Sequence, residues 1–147
     1  MDESTAEILK LQNQVCFPLY AASRLVVQAY RPLLADLGLT YPQYLVMLVL
    51  WEQDGLSVNA LGARLHLDSG TLTPLLKRME THGLLTRSRS TEDGRVVHLH
   101  LTDAGTDLRE RAQHVPGAVL GCVQPPEGLD LALFQQQLVA LLQAVAE

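Results

Sequence analysis

Apolar residues recur along this chain at three- and four-residue steps, with one short stretch of strict alternation, so the pattern predicts a mainly α protein with a small β-hairpin. In residues 8–30 the apolar positions Ile8, Leu11, Val15, Leu19, Ala22, Val26 and Ala29 follow helical spacing. Pro18 interrupts them. It lacks the N–H that would bond the carbonyl of Gln14, which predicts either a bend there or an irregular segment before it. Arg31-Pro32 predicts a new short helix that Gly38 ends. Thr40 is placed to cap the next helix, residues 42–54, which is apolar on nearly every face and therefore central.

Ser57 predicts the cap of a further short helix, and a turn at His66-Leu67-Asp68 leads into a helix over residues 69–82, stopped by Gly83. Two short helices joined by a tight turn, the second carrying Thr, Lys and Arg, form a helix-turn-helix pattern. Residues 84–89 and 95–101 read as strands, the second made β-like by Val96, Val97, Leu99 and Leu101. Ser90-Thr-Glu-Asp-Gly94 between them is a turn with hairpin chemistry at Asp93-Gly94. A hairpin placed directly after a helix-turn-helix is a wing. Thr102 predicts the cap of a helix ending near residue 115 or 121, bent at Pro116-Gly117. After a break at Pro125-Pro126, a final helix is predicted over 127–146.

The fold class is therefore a winged helix-turn-helix at residues 42–101 in a single unit, flanked by helices at 8–37 and 103–147. The last helix carries Leu129, Leu131, Leu133, Phe134, Leu138, Leu141, Leu142 and Val145. A small winged helix cannot cover both apolar ends, which predicts an obligate homodimer joined through the N- and C-terminal helices.

Charge refines this picture. The chain has a net charge of −5, which excludes a uniformly basic nucleic-acid binder. Residues 64–100 hold six basic and four acidic side chains, leaving five and twelve elsewhere. Such an asymmetry can confine phosphate affinity to one surface, though many domains with a similar stretch bind no nucleic acid. Ser69, Thr71 and Thr73 open the second helix of the pair with small hydroxyls, and Lys77 and Arg78 follow. That gradient suits a helix entering the major groove of double-stranded operator DNA by its N-terminus. Pro74 is harmless if Thr71 is the cap and costly if Ser69 is. Arg95, just past the wing tip, suits the minor groove, with Asp93 expected to orient its guanidinium.

No apolar run reaches the length of a transmembrane helix, and the start of the chain is acidic and polar rather than a signal peptide. A cytoplasmic protein with no membrane partner is expected, in which thiols are reduced by default. The five histidines lack metal-ligand spacing, and no nucleotide-binding fingerprint occurs, so neither a metal nor a cofactor is expected. The two cysteines, Cys16 and Cys122, lie near opposite ends of the chain. A cysteine on an apolar helix is most often a small buried hydrophobe. At an ordinary pKa of about 8.5 only about 3% of it is thiolate at pH 7. A reactive Cys16 therefore needs donors close by; Tyr20 shares its helix face, and Phe17 offers an apolar wall.

The stretch Leu67-Asp-Ser-Gly-Thr-Leu-Thr-Pro-Leu-Leu-Lys-Arg-Met-Glu80, with Gly83-Leu84, Arg87 and Asp93-Gly94-Arg95, resembles the MarR family of dimeric winged-helix regulators. The block around Cys16 and Thr40-Tyr-Pro-Gln-Tyr44 narrows the likeness to the organic hydroperoxide resistance regulators, in their two-cysteine branch. The resemblance implies a repressor rather than an enzyme. In it Cys16 is the redox-active thiol, supported by Tyr30 and Tyr41 from the opposite subunit. An organic hydroperoxide oxidises Cys16, and Cys122 closes an intersubunit disulfide that releases DNA. The alternatives are a repressor opened by a small aromatic ligand in the dimer crevice, with incidental cysteines, and a thiol peroxidase, for which a wing has no use.

Overall fold

The computed structural model describes residues 7–146; the acidic start, residues 1–6, and residue 147 lie outside the described residues. Seven α-helices and one two-stranded sheet are formed among them. The segment before Pro18 is the irregular one: a single 3-10 turn at Leu11–Asn13 precedes α1, Cys16–Ala35. Beginning at Cys16 puts Pro18 in the first turn, where an N–H has no intrahelical partner to lose. The new helix expected at Arg31-Pro32 does not form. Pro32 sits inside α1, which runs on because its last turn seats Leu34 in the core, 1% exposed. Gly38, at φ +67°, then ends the turn. Leu39 N–H returns to Leu34 O and Gly38 N–H to Ala35 O, the bond pair of a Schellman cap.

The second helix, α2 at Tyr41–Glu52, starts from a reciprocal capping box between Thr40 and Gln43. It is the central element, with Val46 and Met47 fully buried. Ser57 caps α3, Val58–Leu65. The next helix, α4 at Ser69–Thr81, is capped by neither Ser69 nor Thr71: the carboxylate of Asp68 accepts from Thr71 N–H at 2.7 Å. Pro74 therefore lies in the helix interior, where its missing N–H leaves the Gly70 carbonyl without a helical donor.

Strands β1, Leu85–Arg89, and β2, Val97–Leu101, pair antiparallel with Leu85 opposite Leu101 and Arg89 opposite Val97. The connection runs from Ser90 to Val96, two residues longer than the Ser90–Gly94 turn expected, because β2 starts at Val97 rather than Arg95. Ser90 N–H bonds Val96 O, Val96 N–H bonds Asp93 O, and Gly94 is not in the left-handed region that such a turn demands. The base of the wing is held from a third side: Gly55 N–H bonds Leu99 O, and Leu99 N–H bonds Leu56 O.

Thr102 caps α5, Asp103–Ala112, and a break at Gln113-His114 separates it from α6, Val115–Val123. The last helix, α7 at Leu131–Ala146, begins later than expected because Asp130 caps it, accepting from Ala132 and Leu133 N–H. The core gathers Leu34, Leu50, Leu61, Leu76, Met79 and Leu99 from α1 to β2. By contrast, the first turns of α1 and all of α7 contain no buried residue. Phe17, Leu19, Tyr20, Phe134, Leu138 and Leu142 are all exposed on the single chain. An apolar surface of that extent is the mark of an association face.

Candidate functional site

Helix α4 buries Leu72, Leu75, Leu76 and Met79 on one side and turns Ser69, Thr71, Thr73, Lys77 and Arg78 to solvent on the other. The small residues at its start leave the N-terminal turns open to a flat partner. The Thr73 hydroxyl is bonded to Ser69 O at 2.7 Å, so it faces outward chiefly as an acceptor. Lys77 and Arg78 form no ion pair among the described residues.

Between α4 and the wing lies a groove of about 390 Å³. Ser69 and Thr73 line it from α4, Ser57 and Asn59 from the start of α3, and Arg87, Arg89 and Arg95 from the wing. Three guanidiniums and four small polar side chains around one groove suit a phosphate backbone. Arg87 and Arg89 were not among the sequence-predicted site residues. Their signal was the two-residue spacing that puts Leu85, Arg87 and Arg89 on one strand face, running from core to solvent. Ser57 and Asn59 left no such signal, because only the fold carries the start of α3 to the wing.

The expected Asp93–Arg95 contact takes another form. The Asp93 carboxylate accepts from the backbone N–H of Arg95 at 3.0 Å and makes no ion pair with its guanidinium. With one residue between them in a tight loop, the carboxylate closes a local Asx-type turn. The Arg95 side chain is thereby left to the groove, while the guanidinium of Arg89 bonds Gly94 O at 2.9 Å and ties down the tip.

The thiol region is divided in space. Cys16 is the first residue of α1 and Cys122 lies in the last turn of α6; both are exposed free thiols. Tyr30 is fourteen residues beyond Cys16 on the same helix, about 21 Å along its axis. It cannot touch that sulfur within one chain. Tyr30 and Tyr41 do meet each other, with ring centroids 4.6 Å apart. Tyr44, absent from the sequence-predicted site, packs against both rings at 6.0 and 6.5 Å, and Trp51 meets it edge-on at 6.5 Å. Its signal was the three-residue step from Tyr41 on one helix face. Burial pushes the phenols of Tyr30, Tyr41 and Tyr44 above the usual tyrosine range; charge repulsion from the Tyr30 phenol adds to this for Tyr41, and from the Tyr30 and Tyr41 phenols for Tyr44. They remain neutral and able to donate a hydrogen bond at any physiological pH.

No group of three His, Cys, Asp or Glu side chains is placed to hold a metal ion among the described residues. No helix among them is long and apolar enough to cross a membrane.

A helix-turn-helix backed by an arginine-lined wing defines a winged-helix, DNA-binding transcriptional regulator. Residues 28–111 match the family model of the SarA/Rot transcriptional regulators. The organic hydroperoxide resistance transcriptional regulator of Bacillus subtilis is 49% identical over 97% of each chain. The chain belongs to the organic hydroperoxide resistance regulators, within the winged-helix MarR family. Among solved structures, reduced AbfR bound to DNA is 38% identical, with a TM-score of 0.76 over 96% of this chain and 98% of that one. Disulfide-formed AbfR is 37% identical and covers both chains fully, with a TM-score of 0.66. AbfR is a protein of Staphylococcus epidermidis.

Proposed function

We propose that this protein is a homodimeric repressor that binds a palindromic operator when reduced and is released by organic hydroperoxide acting on Cys16. The dimer is built by residues 8–37 and 103–147, and residues 42–101 read DNA with Ser69, Thr71, Thr73, Lys77, Arg78 and Arg95. The observation that carries the reading is the separation of Cys16 from the Tyr30–Tyr41 pair. An exposed thiol beside an uncovered apolar face, and two neutral phenols too far away on the same chain, make a complete site only when a second copy supplies the missing half.

The chemistry is a two-electron oxidation. The Cys16 thiolate attacks the terminal peroxide oxygen; the S–O bond forms as the O–O bond breaks. The alkoxide takes up a proton and leaves as the alcohol, and Cys16 becomes a sulfenic acid. The thiol of Cys122 of the partner subunit then displaces the sulfenic oxygen as water and closes a disulfide. Cross-linking α1 of one subunit to α6 of the other shifts the helices that carry the wings. Two recognition helices no longer spaced for half-sites about 34–36 Å apart lose the operator.

Non-reducing electrophoresis after stoichiometric hydroperoxide tests this. A band at twice the monomer mass is expected, lost in both Cys16→Ser and Cys122→Ser. Peroxide-driven release retained in Cys16→Ser would overturn the reading. One observation favours a second reading, release by a small aromatic ligand: a cavity of about 220 Å³ lined by Tyr44, Leu48, Trp51 and Arg109. Under it, an aromatic acid releases DNA from the Cys16→Ser protein and peroxide does not.

A further inference from the structure

Acidic and basic residues are unevenly placed at the start of this acidic chain. From residue 8 to residue 35 there is no Asp or Glu, while Lys10, Arg24 and Arg31 are present. Lys10 is paired with Glu7. Arg24 and Arg31 are exposed and have no carboxylate partner among the described residues. At 3.6 residues per turn, Cys16, Tyr20, Arg24, Val27 and Arg31 fall within an arc of about 80° on α1. The two cations share a helical stripe with Cys16 but lie about 12 and 22 Å from it along the axis, so the thiol they serve in the proposed dimer is the one that the second copy brings to the Tyr30–Tyr41 pair. Arg24 is steadied over the ring of Tyr20, 5.4 Å from its centroid.

Two cavities open on this stripe and share Val27 and Arg31. One, of about 340 Å³, includes Arg24. The other, of about 360 Å³, is floored by Val27, Leu39 and Pro42 and reaches Tyr41, one of the paired phenols. A guanidinium at one end, an apolar floor and a phenol at the other describe an amphiphilic ligand. We propose that Arg31, with Arg24 beside it, anchors the carboxylate of organic hydroperoxides that carry an acid group on an apolar chain. The chain lies over Val27, Leu39 and Pro42, and the peroxide group is delivered toward the Tyr30–Tyr41 pair. Acidic hydroperoxides are thus preferred over neutral ones of equal size. This rests on the reading of Cys16 as the peroxide-reactive thiol.

Rates of Cys16 oxidation in the Cys122→Ser dimer test the preference, using a hydroperoxide of oleic acid, its methyl ester and the neutral cumene hydroperoxide. The acid is expected to react about fivefold faster than its ester, as one exposed ion pair allows. Added salt shrinks the difference. Arg31→Gln abolishes it without slowing cumene hydroperoxide, and Arg31→Lys restores it. Equal rates for acid and ester in the parent dimer overturn the anchor, as does a loss in Arg31→Gln shared by all three oxidants, which marks an intersubunit ion pair instead. Calorimetry on the Cys16→Ser dimer with the matching unreactive hydroxy acid and its ester separates the two claims. Arginine-dependent binding of the acid there, with no oxidation of Cys16 by any peroxide, keeps the anchor and removes the peroxide reading. No preference for the acid removes the anchor alone.

Discussion

Glu80 on α4 and Arg87 on the wing hold each other at three points. One carboxylate oxygen accepts from Arg87 Nε at 2.8 Å and lies in an ion pair with Nη2, also at 2.8 Å; the other accepts from the Arg87 backbone N–H at 3.1 Å. This joins α4 to the wing, the two elements proposed to meet DNA together. These bonds from Arg87 hold the Glu80 carboxyl below the usual glutamate range. A depressed carboxylate pKa means the tie is in place above the ordinary value, about 4.3, and is lost as pH falls through the lowered one. Glu80→Gln is expected to weaken operator binding about three- to tenfold, with the salt dependence unchanged because no phosphate contact is removed. Titration of the Arg87 side-chain N–H signals in the free protein should follow the same acid transition, and an unchanged affinity in the variant would count against the tie.

Arg95 is expected to act differently. Its guanidinium is free of Asp93 and lines the wing groove. Arg95→Ala should weaken binding to specific and unrelated DNA alike and reduce the slope of log affinity against log salt by about one. Asp93→Ala should disturb the wing tip through the Arg95 N–H and leave that slope intact.

Tyr41→Phe keeps the ring packed against Tyr30 and Tyr44 and removes one donor. Operator affinity should be unchanged while oxidation of Cys16 slows about tenfold, read as thiol loss under limiting peroxide. The raised phenol pKa values carry their own consequence. Stability gained from neutral buried tyrosines is whole below about pH 10 and falls as pH rises from there through the folded values. Ultraviolet titration should show Tyr30, Tyr41 and Tyr44 ionising late, and Tyr41→Phe should remove one late ionisation.

Among the glycines, Gly105 has the least room for a side chain. A Cβ there would lie 2.1 Å from Leu84 O, a carbonyl already bonded to Thr102 N–H, while Gly105 O accepts from Trp51 Nε1 at 2.9 Å. Neither side can yield. Gly105→Ala is expected to destabilise the fold by about 2–3 kcal/mol in urea unfolding. Gly94→Ala, which meets nothing within 4 Å, should change little.

Phe134 and Leu138 stand one turn apart on α7, both exposed on the single chain. Phe134→Glu with Leu138→Glu should shift sedimentation from about twice the 16.2 kDa chain mass to the chain mass and abolish operator binding together with it. A dimer that survives the pair of substitutions places the interface elsewhere.

The winged-helix order was legible in the order of residues because each piece is local. Helical spacing, the Thr40, Ser57 and Thr102 caps, Gly38, Gly83 and the alternating Val97–Leu101 all act within a few residues of themselves. Where local signals competed, packing or the stronger acceptor settled the outcome. Pro32 announces a helix start, yet α1 continues through it because Leu34 has a core to enter. Ser69 and Thr71 both look like caps, yet Asp68 wins because an ionised carboxylate is the stronger acceptor. The chemistry of the sites was beyond local reach. Arg87 finds Glu80 across a turn, Asn59 arrives at the wing groove from another helix, and Tyr44 joins a cluster drawn from α1 and α2. Distances of that kind are set by how the helices stack, which no short stretch of residues encodes.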